Sequence, residues 1–338
     1  MQNSDHDPHV YPPRSHNRSL ADLPQEAWWT RAFADFEDRQ IWSRVWTAVG
    51  YVSQLPRSGD ILPFTVGNHG VHVERHESGD LLARFSFAQH AGCRKIPLQC
   101  KTGRKIKCPI VSCGFSRDRP EGFPTSLNRK NPWSLHFTGK SDARLLNARL
   151  ETAGEVVFVN IDPAHEISWN TSEFLPPAGA AVASSKEYRC NWKLLWREIL
   201  ARFDPDPAIQ PHVVKGHRQE HGGAITLTGT FPNLLVLRKA ESCLSIILQP
   251  VGMDVTLLRL AAWGDAPVDE LTGLVADCSE RAEDQQFTIA RHEVGPRPLD
   301  NDLVSVMTAW LADHLAVVPP PPVSKKMMND IKKVLETT

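Results

Sequence analysis

The chain has 338 residues, with 41% hydrophobic and 23% charged residues, the composition of an ordinary globular protein with enough apolar material for one large domain or two. Lys plus Arg number 38 against 39 Asp plus Glu, so a net charge of −1 gives no electrostatic footprint for nucleic acid or an anionic membrane surface. No apolar run reaches the roughly 18 residues of a membrane helix and the N-terminus lacks a signal-peptide core, which predicts a cytoplasmic protein.

Residues 1–20 read as a polar arm rich in Pro, His and Asn. Residues 21–45 follow as an amphipathic helix, with Trp29, Phe33, Phe36, Ile41 and Val45 near helical spacing. From residue 46 the pattern changes to short β-type runs, "TAVGYVSQL", "DILPFTVG", "GVHVERH" and "DLLARFSF". After a stretch rich in Cys and Lys comes "GEVVFVNIDP", closing an all-β module near Pro163.

A helix begins at Asn191 and leads into the alternating pattern "AITLTGTFPNLLVLRKAESCLSIILQPVGMDVTLLRLAAWG", which predicts antiparallel strands with one face covered. Two helices follow, near 267–290 and 301–315. Strands succeeded by covering helices predict an α+β class. The prolines at 319–322 form a stiff spacer before "SKKMMNDIKKVLETT", whose Met327, Ile331, Val334 and Leu335 share a helical face, so 319–338 reads as a proline-tethered C-terminal helix.

The segment "RQIWSRVWTAVGYVSQLPRSGDILPFTVG", followed in order by "GEVVFVNIDP", "NWKL" and "GTFPNLLVL…LQPVG", resembles the Rieske-type non-haem iron oxygenase α subunits over roughly residues 20–318. The resemblance implies a Rieske-like β domain at 46–163 and, at 164–318, a catalytic-type domain with a helix-grip-like antiparallel sheet. It also implies a [2Fe–2S] cluster on C-x-H and C-x-x-H loops, and a mononuclear iron on two His and a carboxylate.

At those places this sequence departs from the pattern. His90 stands at the first imidazole position, but Ala88 stands where the family has Cys; Cys108 is kept, and Val111 replaces the second His. In the later helix the acidic bridge and the two His ligands fall on Ala201, Asp204 and Ile209. Methyl and alkyl groups have no lone pair to offer a metal. The resemblance therefore predicts a chain without the conventional cluster or mononuclear iron, with Asp302 on the late helix as a remnant of the carboxylate ligand. An ordinary first-turn acid, favoured by the helix dipole, is the simpler reading of Asp302.

Seven Cys is an odd number, which disfavours a full disulfide framework and points to metal or free thiols. Four of them, Cys93, Cys100, Cys108 and Cys113, lie within 21 residues. His90, Cys93, Cys108 and Cys113 form H-x2-C…C-x4-C on loops that the resemblance makes neighbours, a candidate tetrahedral Zn site with Cys100 as an alternative ligand. Buried apolar thiols beside a loop histidine are the competing interpretation. Asp204, Asp206 and His212 form a weaker shifted set, because the prolines of "FDPDPAIQPH" break the helix that would aim them together.

Three functional expectations compete. A structural or regulatory partner of a homologous, active α subunit, in a trimer or hexamer ring, accounts best for the missing ligands. An oxygenase with an altered metal site would require an iron-binding set that the sequence does not display, and an apolar-ligand-binding module would use the second domain's cavity without metal.

Overall fold

In the computed structural model the described residues are 23–66, 69–85, 127–128, 146–162, 175–177, 179, 182–206, 212–250, 252–264, 268–292, 295–296 and 301–315. The region predicted as one helix is three pieces: a 3-10 turn at Gln25–Trp28, α1 at Arg31–Glu37, and a π-helical continuation at Asp38–Trp42. Thr30 causes the break. Its backbone is extended (φ −99°, ψ 142°), and its hydroxyl accepts the Phe33 amide at 3.3 Å, so α1 starts afresh behind a Thr N-cap.

The chain then builds an antiparallel sheet in the order β1-β7-β6-β4-β3-β2-β5. Its strands are β1 (Thr47–Tyr51), β2 (Asp60–Val66), β3 (His69–Arg75), β4 (Leu81–Phe85), β5 (Leu127–Asn128), β6 (Asn147–Ala153) and β7 (Val156–Asn160). The predicted β runs correspond to β1–β4 and β7. β1 and β7 are buried at every position, as expected of strands covered on both faces.

The second sheet runs β8-β14-β13-β12-β11-β10-β9, again antiparallel. β9 (Asp204–Pro205), β10 (Val213–Arg218), β11 (Ile225–Thr230), β12 (Leu234–Lys239), β13 (Ser242–Pro250) and β14 (Thr256–Trp263) form a meander, and β8 (Val182–Tyr188) joins on the far side of β14. Against this sheet lie α2 (Trp192–Leu200), α3 (Asp269–His292) and α4 (Asp302–Leu315). The α+β expectation is met.

α2 is buried at all nine positions, so it is a central rod rather than a surface helix. Its N-cap Asn191 accepts the Lys193 amide at 3.0 Å, donates to the Met253 carbonyl at 2.8 Å, and gives its own N–H to Gln286 at 2.8 Å. The Lys193 amide, one of the orphan donors at the helix start, thereby finds a partner, and the cap is itself anchored on both sides.

The two sheets are joined by polar bonds in a dry interface. Asn233 accepts the Ala48 amide at 3.0 Å and donates to the carbonyls of Ala48 (2.8 Å) and Leu248 (3.2 Å). The Tyr51 and Ser245 hydroxyls are 3.0 Å apart, and burial pushes the Tyr51 phenol up from its ordinary value. Buried Arg259 donates to Gln249 and to the Pro63 carbonyl, each at 2.8 Å, with its guanidinium over the Phe64 ring.

Cys190, Cys243 and Cys278 are buried and free. Burial pushes all three thiols up, those of Cys243 and Cys278 to about 11, so little thiolate exists at neutral pH. In the native chain these three should remain unlabelled by iodoacetamide at pH 8 and should all label after unfolding. Rapid native labelling of any of them, mapped by peptide mass spectrometry, would contradict this packing.

Candidate functional site

The end of α2 is where the resemblance places iron chemistry. Ala201 is the C-cap there, half-buried, its N–H bonded to the Arg197 carbonyl at 3.0 Å. A methyl group at this position can neither relay a proton nor accept a hydrogen bond. The chain turns at Phe203, and Asp204 enters the two-residue strand β9 opposite His217 of β10. A strand so short at the sheet edge holds the Asp204 side chain exposed.

α4 meets the same corner. Asn301 caps it by accepting the Val304 amide at 3.1 Å and also donates to the Phe203 carbonyl at 3.3 Å. Asp302 is the first residue of α4 and is exposed, the place the helix dipole favours for an acid. Leu303 and Phe203 are both buried. They close on Gly216 of β10, where an added Cβ would lie 2.8 Å from Leu303, 2.9 Å from Phe203 Cβ and 3.0 Å from the Asp204 carbonyl oxygen. Apolar contacts therefore fill the corner between the end of α2, β10 and the start of α4.

Gly216→Ala should accordingly cost about 1–3 kcal/mol, because the buried Leu303 methyl has little room to yield and the Phe203 Cβ and Asp204 carbonyl oxygen can move only with the backbone. Chemical unfolding checks this, and an unchanged midpoint would mean that the corner is looser than described.

His212 lies on the other side of the same region. It is exposed, with a positive φ of 62°, and its carbonyl accepts the Phe231 amide at 3.0 Å. Its ring is 5.3 Å from that of His314 and 5.8 Å from that of Trp310, both on α4. Sequence reasoning singled out His212 and overlooked His314, which reads as an ordinary last-turn helix residue. Among the described residues no three His, Cys, Asp or Glu side chains gather into a metal set, so Asp204, His212 and Asp302 are not assembled into one. A mononuclear iron bound by two His and a carboxylate does not fit the residues described at this corner.

The candidate zinc ligands His90, Cys93, Cys108 and Cys113, the alternative Cys100, the departures Ala88 and Val111, and Ile209 lie outside the described residues. So do the polar arm and the C-terminal segment 319–338. Among the described residues no helix is long and apolar enough to cross a membrane.

A buried ion pair, invisible in the sequence, ties α2 to the lead-in segment. Lys193 Nζ is 2.6 Å from Glu37 Oε1, with the Lys193 side chain 0% and that of Glu37 4% exposed. Trp192 Nε1 donates to Glu37 Oε2 at 3.3 Å, and the ammonium lies 5.5–5.7 Å from the rings of Trp28, Phe33 and Trp192. Burial pushes the Glu37 carboxyl up and the Lys193 ammonium down from their ordinary values, each opposed by the partner's charge.

No family model matches the chain. The oxygenase subunit of carnitine monooxygenase from Escherichia coli (strain K12) is 24% identical over 166 residues, which cover 47% of this chain and 42% of that protein. The oxygenase subunit of glycine betaine monooxygenase from Pseudomonas aeruginosa is 24% identical over 191 residues, 54% of this chain and 43% of the relative. The chain thus matches less than half the length of these curated relatives. Among solved structures, the apo form of a quaternary ammonium Rieske monooxygenase superposes with a TM-score of 0.57 at 12% identity, covering 91% of this chain and 96% of that one. Naphthalene 1,2-dioxygenase superposes with a TM-score of 0.52 at 11% identity, covering 90% and 95%. The structural likeness carries the fold, and the curated relatives bear out the sequence resemblance to the Rieske non-haem iron oxygenase α subunits.

Proposed function

We propose that this chain, which has the fold of the Rieske oxygenase α subunits and is similar to them in sequence, is a non-catalytic structural or regulatory subunit that assembles with an active homologous α subunit. The observation that carries this reading is the corner at the end of α2. The framework of a catalytic domain is present, but Ala201 and edge-strand Asp204 occupy the bridge and first ligand positions, and Phe203 and Leu303 pack against Gly216. Ala88 and Val111 remove one donor from each half of the cluster site. These losses fall on electron entry, electron transfer and oxygen activation together, and none of the substituting side chains can perform the lost task. An intact scaffold with silent sites suits a subunit that completes a trimeric or hexameric ring and is stabilised by the interface it buries.

In this reading the Rieske-like module is pinned by zinc in place of a cluster, on His90, Cys93, Cys108 and Cys113, with Cys100 able to exchange for one ligand. Zinc would hold the two loops together without redox activity. Cys108→Ala should then lower bound zinc and the melting temperature together. Unchanged metal content and melting would sink the loop site and leave the subunit assignment standing.

The assembly itself is tested by tagging the chain in its native host and identifying what co-purifies at stoichiometric ratio. The expected result is a homologous α subunit that carries intact C-x-H and C-x-x-H loops, in one particle of three or six chains. Recovery of a homo-oligomer that contains iron and consumes oxygen would overturn the assignment in favour of an altered-site oxygenase.

A further inference from the structure

The geometry points to a second metal site, built by His212 and His314 at the junction of β10 and α4, taking a divalent cation that prefers imidazole nitrogen, zinc above all. It goes beyond the subunit role proposed above and shares no residue with the zinc site on the cysteine-containing loops.

Three observations carry it. First, the ring centroids of His212 and His314 are 5.3 Å apart at an interplanar angle of 70°. Two imidazoles on one tetrahedral zinc, with Zn–N of about 2.0–2.1 Å, place their ring centroids about 5 Å apart, so the rings already have the separation that a shared ion requires.

Second, the tautomer of His314 is fixed by its neighbour. Its Nδ1 lies 2.8 Å from the Trp310 carbonyl oxygen, which can only accept. Nδ1 must therefore carry the proton, and in the neutral ring Nε2 holds the lone pair, as it does in metal-bound histidines whose second nitrogen donates to a backbone carbonyl.

Third, both rings are held from the side. Phe231 lies 4.8 Å from His314 and 6.1 Å from His212, and Trp310 lies 5.8 Å from His212. Phe231 is buried, and the Phe231 amide fixes the His212 backbone through its carbonyl. Preset rings lose less rotamer freedom on binding than mobile surface histidines.

The same cluster does not suit an organic cation. A quaternary ammonium needs its own volume between facing rings, each within about 6 Å of the charge, whereas these rings already contact one another at 4.8–6.2 Å. A bare metal ion needs no such volume, because it is held by in-plane nitrogen lone pairs rather than by ring faces. His212 is exposed, leaving an approach from solvent and room for water on the remaining coordination positions. A bound ion would tie the entry of β10 to the last turn of α4.

The test is a calorimetric titration of metal-stripped full-length chain with zinc chloride, comparing wild type with His212→Asn and His314→Phe. Asn tolerates the positive φ at 212 without an imidazole, and Phe preserves the ring packing at 314 without a donor. Each variant should bind one zinc fewer per chain than wild type. Cys108→Ala, titrated in parallel, reports the loop site separately, so failure of one site is distinguishable from failure of the other. Unchanged zinc stoichiometry in both histidine variants would overturn the inference. A readout that needs no substitution is labelling of wild type by diethyl pyrocarbonate: zinc should protect His212 and His314 while exposed His217 still reacts, and equal labelling of His212 and His314 with and without zinc would equally overturn it.

Discussion

Glu37→Ala should lower the stability of the chain by about 3–5 kcal/mol, the largest effect expected of any single substitution considered. The substitution removes the carboxylate paired with Lys193 and leaves an ammonium at 0% exposure among Trp28, Phe33 and Trp192. Ring quadrupoles attract a desolvated cation by about 2 kcal/mol or somewhat more, too little to replace both water and a carboxylate. A loss of this size corresponds to roughly 10 °C in melting temperature for a domain of this class. The double substitution Glu37→Met with Lys193→Met removes both charges and keeps apolar volume, so it should lie close to wild type or above it. A Glu37→Ala protein as stable as wild type would show that the pair is not buried as described.

Asn233→Ala should cost about 2–4 kcal/mol, because it strands the Ala48 N–H and two carbonyls in a dry interface while each buried unpaired group costs about 1–3 kcal/mol. Asn233→Asp is the sharper comparison. A carboxylate still accepts the Ala48 amide but confronts the carbonyls of Ala48 and Leu248 with no proton to offer, so it should be at least as damaging as alanine. Since these bonds join β1 to β13, both variants should also speed proteolysis between the two sheets. Asn233→Asp with wild-type stability in urea would contradict the bonding assignment.

Much of the fold is written in local patterns, and its exceptions are instructive. β1 and β7 are read from apolar runs of β-branched residues, and the meander β11–β14 from alternation. β8 escaped notice because "VASSKEY" is an edge strand with alternate positions exposed, so its Ser, Lys and Glu resemble a loop. The lead-in helix was overextended because its apolar spacing continues through Thr30, whose capping hydroxyl outweighs the period. The Glu37–Lys193 pair was illegible for a different reason: both read as ordinary helix charges, and only tertiary packing takes them out of water.

The candidate site was partly legible. The family resemblance places the ligand positions after the motif "NWKL", and the structure adds that Phe203, Gly216 and Leu303 fill the corner with apolar atoms. His314 gave no signal in sequence. It lies 102 residues from His212, and their meeting depends on how α4 folds back over β10.

The most direct test of the central claim is the iron content and visible spectrum of the full-length chain, expressed with ample iron and sulfide and purified without oxygen. A colourless protein with substoichiometric iron, at the same time as an active relative prepared in parallel is brown, is the predicted result. A brown preparation holding two irons per chain, with the absorption of a Rieske cluster, would contradict the account.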